Sequence, residues 1–167
     1  VDKMTKRITI STLDAMKASG DKFVMITAYA ATSARLASEA GAETILVGDS
    51  LGMVLQGHET TIPVSLDAMA YHTECVARAR PHSLIVADLP FMSFSNADDT
   101  LHASTRLMQA GAQMVHLEGG TWPSDSIHRL VERGVPVCAH LGLTPQSVNV
   151  FGGYRVQGRT PKEAKSI

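Results

Sequence analysis

Asp49, Asp88, Glu118 and His140 each stand at the end of a short apolar run. The runs are Thr44-Ile45-Leu46-Val47-Gly48, Leu84-Ile85-Val86-Ala87, Met114-Val115-His116-Leu117 and Val135-Pro136-Val137-Cys138-Ala139. A lone carboxylate in such a place reads as a helix cap or a loop acid. Three at equivalent positions point to one shared site, with the oxygen donors that a hard divalent cation such as Mg²⁺ prefers. Zinc fits less well, because Cys138 lies within a run and no His/Cys spacing matches a zinc site. His140 can orient or polarise a ligand oxygen, since imidazole titrates near neutrality. His116 lies two residues before Glu118, so both share one face of a strand. It reads either as a ligand contact or as a satisfied interior group. Ser50 follows Asp49 without a G-x-S-x-G setting, so it suits a hydrogen bond to an anionic ligand, or a cap, better than nucleophilic chemistry.

The runs that present these residues are rich in Val, Ile and Leu and do not alternate. That is the signature of strands buried on both faces, as in a parallel sheet. Ligands of parallel α/β folds bind at the C-terminal ends of the strands, where these polar residues fall. The chain in order reads as five βα units. A capping box at Ser11-Thr12-Leu13-Asp14 starts a helix that ends near Gly20. Phe23–Tyr29 is a strand, and a helix through Ser33–Ala37 stops at Gly41. After the second strand, Leu51 to Pro63 reads as a long loop, and Ser65 caps a helix carrying Leu66, Met69, Ala70, Val76 and Ala77. Asn96–Asp99 opens the next helix, which runs to Gly111. Pro123 begins a helix with apolar Ile127, Leu130 and Val131, ending at Gly134. Gly142 to Gly158 reads as a glycine-rich loop, and Thr160-Pro161-Lys162-Glu163 starts one more helix. The paired Ala40-Gly41-Ala42 and Ala110-Gly111-Ala112 sit at matching helix-to-strand joints, as a repeated βα unit requires.

Five units fall short of the (β/α)₈ TIM barrel, which needs about 250 residues. The open doubly wound alternative lacks its usual phosphate turn, since Tyr29-Ala30-Ala31-Thr32 contains no glycine. The expectation is therefore one domain over residues 1–167, an incomplete TIM barrel supplying about the first five βα units. A net charge of −1 and 5% aromatic residues argue against a nucleic-acid surface. No apolar run approaches the roughly 20 residues that span a bilayer, and the charged start Val1–Arg7 lacks the apolar run of a signal peptide. Cys75 and Cys138 read as reduced, buried residues of a cytoplasmic protein. His58, His72, His82, His102 and His128 fall in loops or helices and read as surface or structural.

Longer motifs add a family. Val47-Gly48-Asp49-Ser50-Leu51-Gly52-Met53, Ala87-Asp88-Leu89-Pro90-Phe91-Met92, Leu117-Glu118-Gly119-Gly120 and His140-Leu141-Gly142-Leu143-Thr144-Pro145-Gln146-Ser147 resemble the ketopantoate hydroxymethyltransferases. So do Gln56-Gly57-His58, Phe151-Gly152-Gly153-Tyr154 and Val156-Gln157-Gly158-Arg159. The resemblance implies a TIM barrel, Mg²⁺, and 5,10-methylenetetrahydrofolate as one-carbon donor to the 2-oxo acid 3-methyl-2-oxobutanoate. It implies Asp49, Asp88 and Glu118 as the metal acids, and Asp49, Ser50, Asp88, His116 and His140 as substrate contacts. It also implies a homo-oligomer, a decamer, in the cytoplasm. The family usually has lysine where this chain has His116, and its glutamate base ends a sixth strand. No catalytic base is therefore expected before Ile167. Two further readings stay open: a Mg²⁺-dependent carbon–carbon lyase of the phosphoenolpyruvate mutase and isocitrate lyase type, and a truncated barrel without turnover.

Overall fold

A computed structural model describes residues 6–167; Val1–Thr5, most of the charged start considered above, lie outside the described residues. The fold is α/β, with five parallel strands in the order β1-β2-β3-β4-β5: β1 Met25–Thr27, β2 Thr44–Val47, β3 Leu84–Asp88, β4 Met114–Glu118 and β5 Val137–His140. α1 Ile10–Ser19 precedes β1, and between the strands run α2 Ala31–Glu39, α3 Leu51–Val54, α4 Leu66–Arg78, α5 Ala97–Gln109 and α6 Ser124–Glu132. Beyond β5 come α7 Val148–Phe151 and α8 Pro161–Ser166. Consecutive strands that are neighbours and parallel, the first four each followed by a helix that packs on the sheet, make this an arc of a (β/α)₈ barrel.

The register explains why the strand sequences do not alternate. Residues of one parity, Ile45, Val47, Ile85, Ala87, Val115 and Leu117, form the core with Ala34, Met69, Val76, Leu107 and Leu130 of the helices. The other parity lies on the concave side, and there the register aligns Asp88 with His116 and Cys138, and Glu118 with His140. The central strand β3 is buried throughout, while the edge strand β1 exposes Met25 and Ile26.

Several local expectations change. The first helix begins at Ile10, because extended Thr9, not Ser11, caps it: the Thr9 hydroxyl accepts from the Thr12 amide at 3.3 Å. The first strand is shorter than Phe23–Tyr29, pairing only over Met25–Thr27. The stretch Leu51–Pro63 is not wholly loop, since the Ser50 carbonyl accepts from Met53 and Val54 and nucleates α3. The glycine-rich segment after β5 contains a 3₁₀ turn at Pro145–Ser147, with proline preset at its first position, and then α7. Val131 points outward at 57% exposure, leaving Leu130 as the buried anchor of α6. Cys75 and Cys138 are free but only half-buried, because Cys138 sits on the edge strand β5.

Candidate active site

The strand ends bring Asp49, Ser50, Asp88, His116, Glu118 and His140 around one cavity. Backbone geometry at the β2 end makes room for the acids. Gly48 carries no Cβ, and one there would meet the Ser50 hydroxyl at 2.8 Å and Asp88 Oδ2 at 3.3 Å. The Asp49 amide can therefore donate to Asp88 Oδ2 at 2.9 Å. On its other oxygen Asp88 pairs with His116 Nδ1. Ser50 stands at the N-cap of α3 but its side chain caps nothing; its hydroxyl shares a hydrogen bond with Tyr29 of the β1–α2 loop at 2.9 Å.

Gln146 links two of the acids. Its amide nitrogen donates to Asp49 Oδ2 at 2.9 Å and to the Leu89 carbonyl at 3.0 Å, while its backbone N–H donates to Glu118 Oε2 at 2.9 Å. The 3₁₀ turn after β5 is thus tied to the ends of β2, β3 and β4. The glutamine was quoted above only as part of a family motif, in a segment read as loop. Nothing in its local pattern signals a buried bridge, because its partners are 28, 57 and 97 residues away.

Three acids share a buried space, and their ionisation shows it. Burial, then the charge of Asp88, pushes the Asp49 carboxyl up to about 6 against the donation from Gln146. Burial also pushes Glu118 up to about 7, opposed by the Gln146 backbone N–H and reinforced by Asp49 and Asp88. For His116 burial opposes the charged form, but the hydrogen bond and charge of Asp88, with Glu118 and Asp49, outweigh it and raise the pKa above the ordinary value. His140, 3.6 Å from Glu118 Oε1, is held low by burial and by His116. Among the described residues no Lys or Arg lines this cavity.

Such a site has oxygen donors and surplus negative charge, the chemistry that suits a hard divalent cation. Among the described residues no three His, Cys, Asp or Glu side chains form a ready-made coordination cage. The reason is visible in the bonds: Asp49 Oδ2 and Glu118 Oε2 face Gln146, and Asp88 Oδ1 faces His116. Mg²⁺ does not need such a cage, since it keeps waters and takes one or two carboxylates plus ligand oxygens. The residues present fit it on those terms. Elsewhere, His82 pairs with Ser38 at 2.7 Å and His72 with the Tyr29 carbonyl at 2.8 Å, so these two are structural. Among the described residues no helix is long and apolar enough to cross a membrane.

The model of the ketopantoate hydroxymethyltransferase family matches residues 7–167. A 3-methyl-2-oxobutanoate hydroxymethyltransferase of Marinobacter nauticus is 58% identical over 160 residues, which cover 96% of this chain and 61% of that protein. One of Pseudomonas aeruginosa is also 58% identical, covering 96% and 60%; one of Saccharophagus degradans is 51% identical, covering 98% and 61%. The chain spans about three fifths of the length of these curated relatives. Among solved structures, a phosphonopyruvate hydrolase superposes with a TM-score of 0.64 at 20% identity, over 84% of this chain and 53% of that one. A 2,3-dimethylmalate lyase, a PEP mutase/isocitrate lyase superfamily member, gives 0.57 at 16% identity, over 77% and 51%. At these identities the likeness concerns the fold.

Proposed function

The chain belongs to the ketopantoate hydroxymethyltransferase family, and from that membership we propose that the complete protein moves a one-carbon unit from 5,10-methylenetetrahydrofolate to 3-methyl-2-oxobutanoate. The observation that carries this reading is the convergence of Asp49, Asp88, Glu118, His116 and His140 on one cavity at the strand ends. In atoms, the C3–H bond of the 2-oxo acid breaks and its proton goes to a base outside this chain. A C–C bond forms to the donor's methylene carbon as one C–N bond breaks, and water's oxygen bonds that carbon as the second breaks; the protons from C3 and from water end on the two donor nitrogens, and tetrahydrofolate and 2-dehydropantoate leave.

Asp49 and Asp88 would hold Mg²⁺, with Glu118 directly or through water. When bound, the ion supplies Lewis acidity at the carbonyl and carboxylate oxygens of the acid. The chain's own groups do the rest. His116, whose charged form Asp88 favours, takes the place of the family's lysine as partner of the substrate carboxylate. Ser50, oriented by Tyr29, donates to a substrate oxygen, and His140 closes the opposite side as a neutral donor. We take the protein to act in the cytoplasm as a homo-oligomer.

The test uses the full-length protein with Mg²⁺ and both substrates. Tetrahydrofolate and 2-dehydropantoate should form in equal amounts, and Asp88→Asn should abolish most of the Mg²⁺-dependent rate. Cleavage of a 2-oxo acid with no need for the folate donor would replace this reading by the lyase reading, whose fold is the same.

A further inference from the structure

The loop between α3 and α4 folds back onto the acid cavity. Gly52 of α3 makes room for it: a Cβ there would stand 2.4 Å from Val64 Cγ2 and 3.6 Å from the Thr60 carbonyl oxygen. The Gly52 carbonyl accepts from the His58 amide at 2.9 Å, and the Thr61 carbonyl accepts from the Val64 amide at 3.1 Å, so the loop is pinned at both ends. From Gln56 to Pro63 the residues are exposed or half-buried, with the exception of Thr61. Thr61 is 2% exposed and lines the cavity beside Asp49, Ser50 and Asp88.

The Thr61 hydroxyl lacks a partner. The polar side chains around it have theirs: Asp49 and Glu118 are bonded by Gln146, Asp88 by His116, and Ser50 by Tyr29. Among the described residues Thr61 Oγ1 is buried and makes no hydrogen bond. Ser104 Oγ of α5 shares that state, but Ser104 does not line the cavity. The Thr61 hydroxyl faces the Asp49 carboxylate, whose charged form it favours, yet stops short of bonding it. Leaving a buried hydroxyl unmet is unfavourable, and a valine of the same shape would avoid the penalty.

The chemistry of the two groups defines the missing bond. A carboxylate only accepts, and a hydroxyl has one proton to give. Carboxylates that ligate a metal are themselves held by hydrogen bonds from groups that do not touch the ion. Gln146 supplies one such bond, to Asp49 Oδ2. We propose that Thr61 is a positioning residue of the cation site: once the ion fixes Asp49, the Thr61 hydroxyl donates to its carboxylate and, with Gln146, holds it in the orientation the ion needs. The proposal rests on the cation reading above. The hydroxyl is satisfied only in the loaded site, so it destabilises the metal-free protein and strengthens metal binding. Removing it should move these two quantities in opposite directions, which loss of simple packing does not do.

The experiment uses the full-length protein with Mg²⁺ alone as the probe. Calorimetry gives the dissociation constant, and urea unfolding of the metal-free protein gives the midpoint, for the parent, Thr61→Val and Thr61→Ser. Thr61→Val keeps the shape without the hydroxyl, and Thr61→Ser keeps the hydroxyl. Thr61→Val should bind Mg²⁺ roughly tenfold more weakly, with a metal-free midpoint at or above that of the parent. Thr61→Ser should bind Mg²⁺ nearly as the parent does. Parent-like Mg²⁺ affinity in Thr61→Val would overturn the positioning role, whatever happens to KM for the 2-oxo acid, and would leave the cation reading standing. A fall in both affinity and metal-free midpoint would also overturn it, by making Thr61 a packing residue of the loop. So would a Thr61→Ser protein as weak for Mg²⁺ as Thr61→Val. A parent that fails to bind Mg²⁺ would overturn the positioning role and the cation reading together.

Discussion

Gln146→Leu tests whether one buried amide holds the acid cluster in shape. Leucine nearly matches glutamine in volume and keeps the backbone N–H that serves Glu118. What is lost is the side-chain amide of this buried residue, with its bonds to Asp49 Oδ2 and the Leu89 carbonyl. Leaving a buried neutral acceptor unsatisfied costs about 1–3 kcal/mol, and a hydrogen bond to a charged group contributes about 1.5–3 kcal/mol. The cavity beside Asp49 can admit water to its carboxylate, whereas Leu89 is fully buried. The lower half of the range therefore applies, and Gln146→Leu should destabilise the protein by about 3 kcal/mol. The assay is urea unfolding of parent, Gln146→Leu, Asp49→Asn and the double variant. The cycle should give a coupling on the order of 1.5 kcal/mol or more between positions 49 and 146, which are joined directly. In the same proteins Gln146→Leu should weaken Mg²⁺ binding measured by calorimetry, because the Asp49 carboxylate loses its fixed orientation. A loss below about 0.5 kcal/mol with additive effects, the behaviour of surface or independent sites, would refute the bridge.

The raised pKa values of Asp49 and Glu118 predict a pH dependence of stability. Both are held above their unfolded values of 3.8 and 4.5, at about 6 and about 7. Their contribution is therefore fully present below about pH 4 and is lost as pH rises through 6 to 7, on the order of 3 kcal/mol for each group taken alone. Metal-free protein should lose unfolding midpoint between pH 5 and 8, and saturating Mg²⁺ should restore much of the loss at pH 8; a midpoint that rises over that interval would contradict the shared burial of the acids. For His116, whose pKa is raised, the charged form persists to higher pH than in free histidine. KM for the 2-oxo acid should rise as pH passes through that value, and His116→Lys should flatten the profile while retaining activity; identical profiles would leave His116 only a packing role. Residues 1–167 produced alone should aggregate and lack turnover, because β1 and the two residues before it leave Phe23, Val24, Met25 and Ile26 exposed at an open sheet edge. A soluble, active monomer of that length would show that the five-strand arc is sufficient.

The sequence by itself determined the strands and their common polar ends. Unbroken apolar runs specify strands covered on both faces, and acids that recur after several such runs point to the sheet's ligand-binding edge. Asp88 and Glu118 end β3 and β4 at the residues expected, and Ser65 and Asn96 cap α4 and α5 as their local chemistry requires. Local pattern failed where the cause was a short-range backbone bond, as in α3, or a competing cap, as at Thr9. The rest was decided by tertiary structure. That His116 pairs with Asp88 follows from the β3–β4 register, in which the two are aligned, and not from its distance to Glu118 along β4. This neighbour, with Glu118 and Asp49, outweighs burial and raises the pKa of His116, a balance that spacing alone could not rank. The role of Gln146 was invisible for the same reason. A bridge from the turn after β5 to Asp49, 97 residues away, exists only once the sheet has brought its parts together.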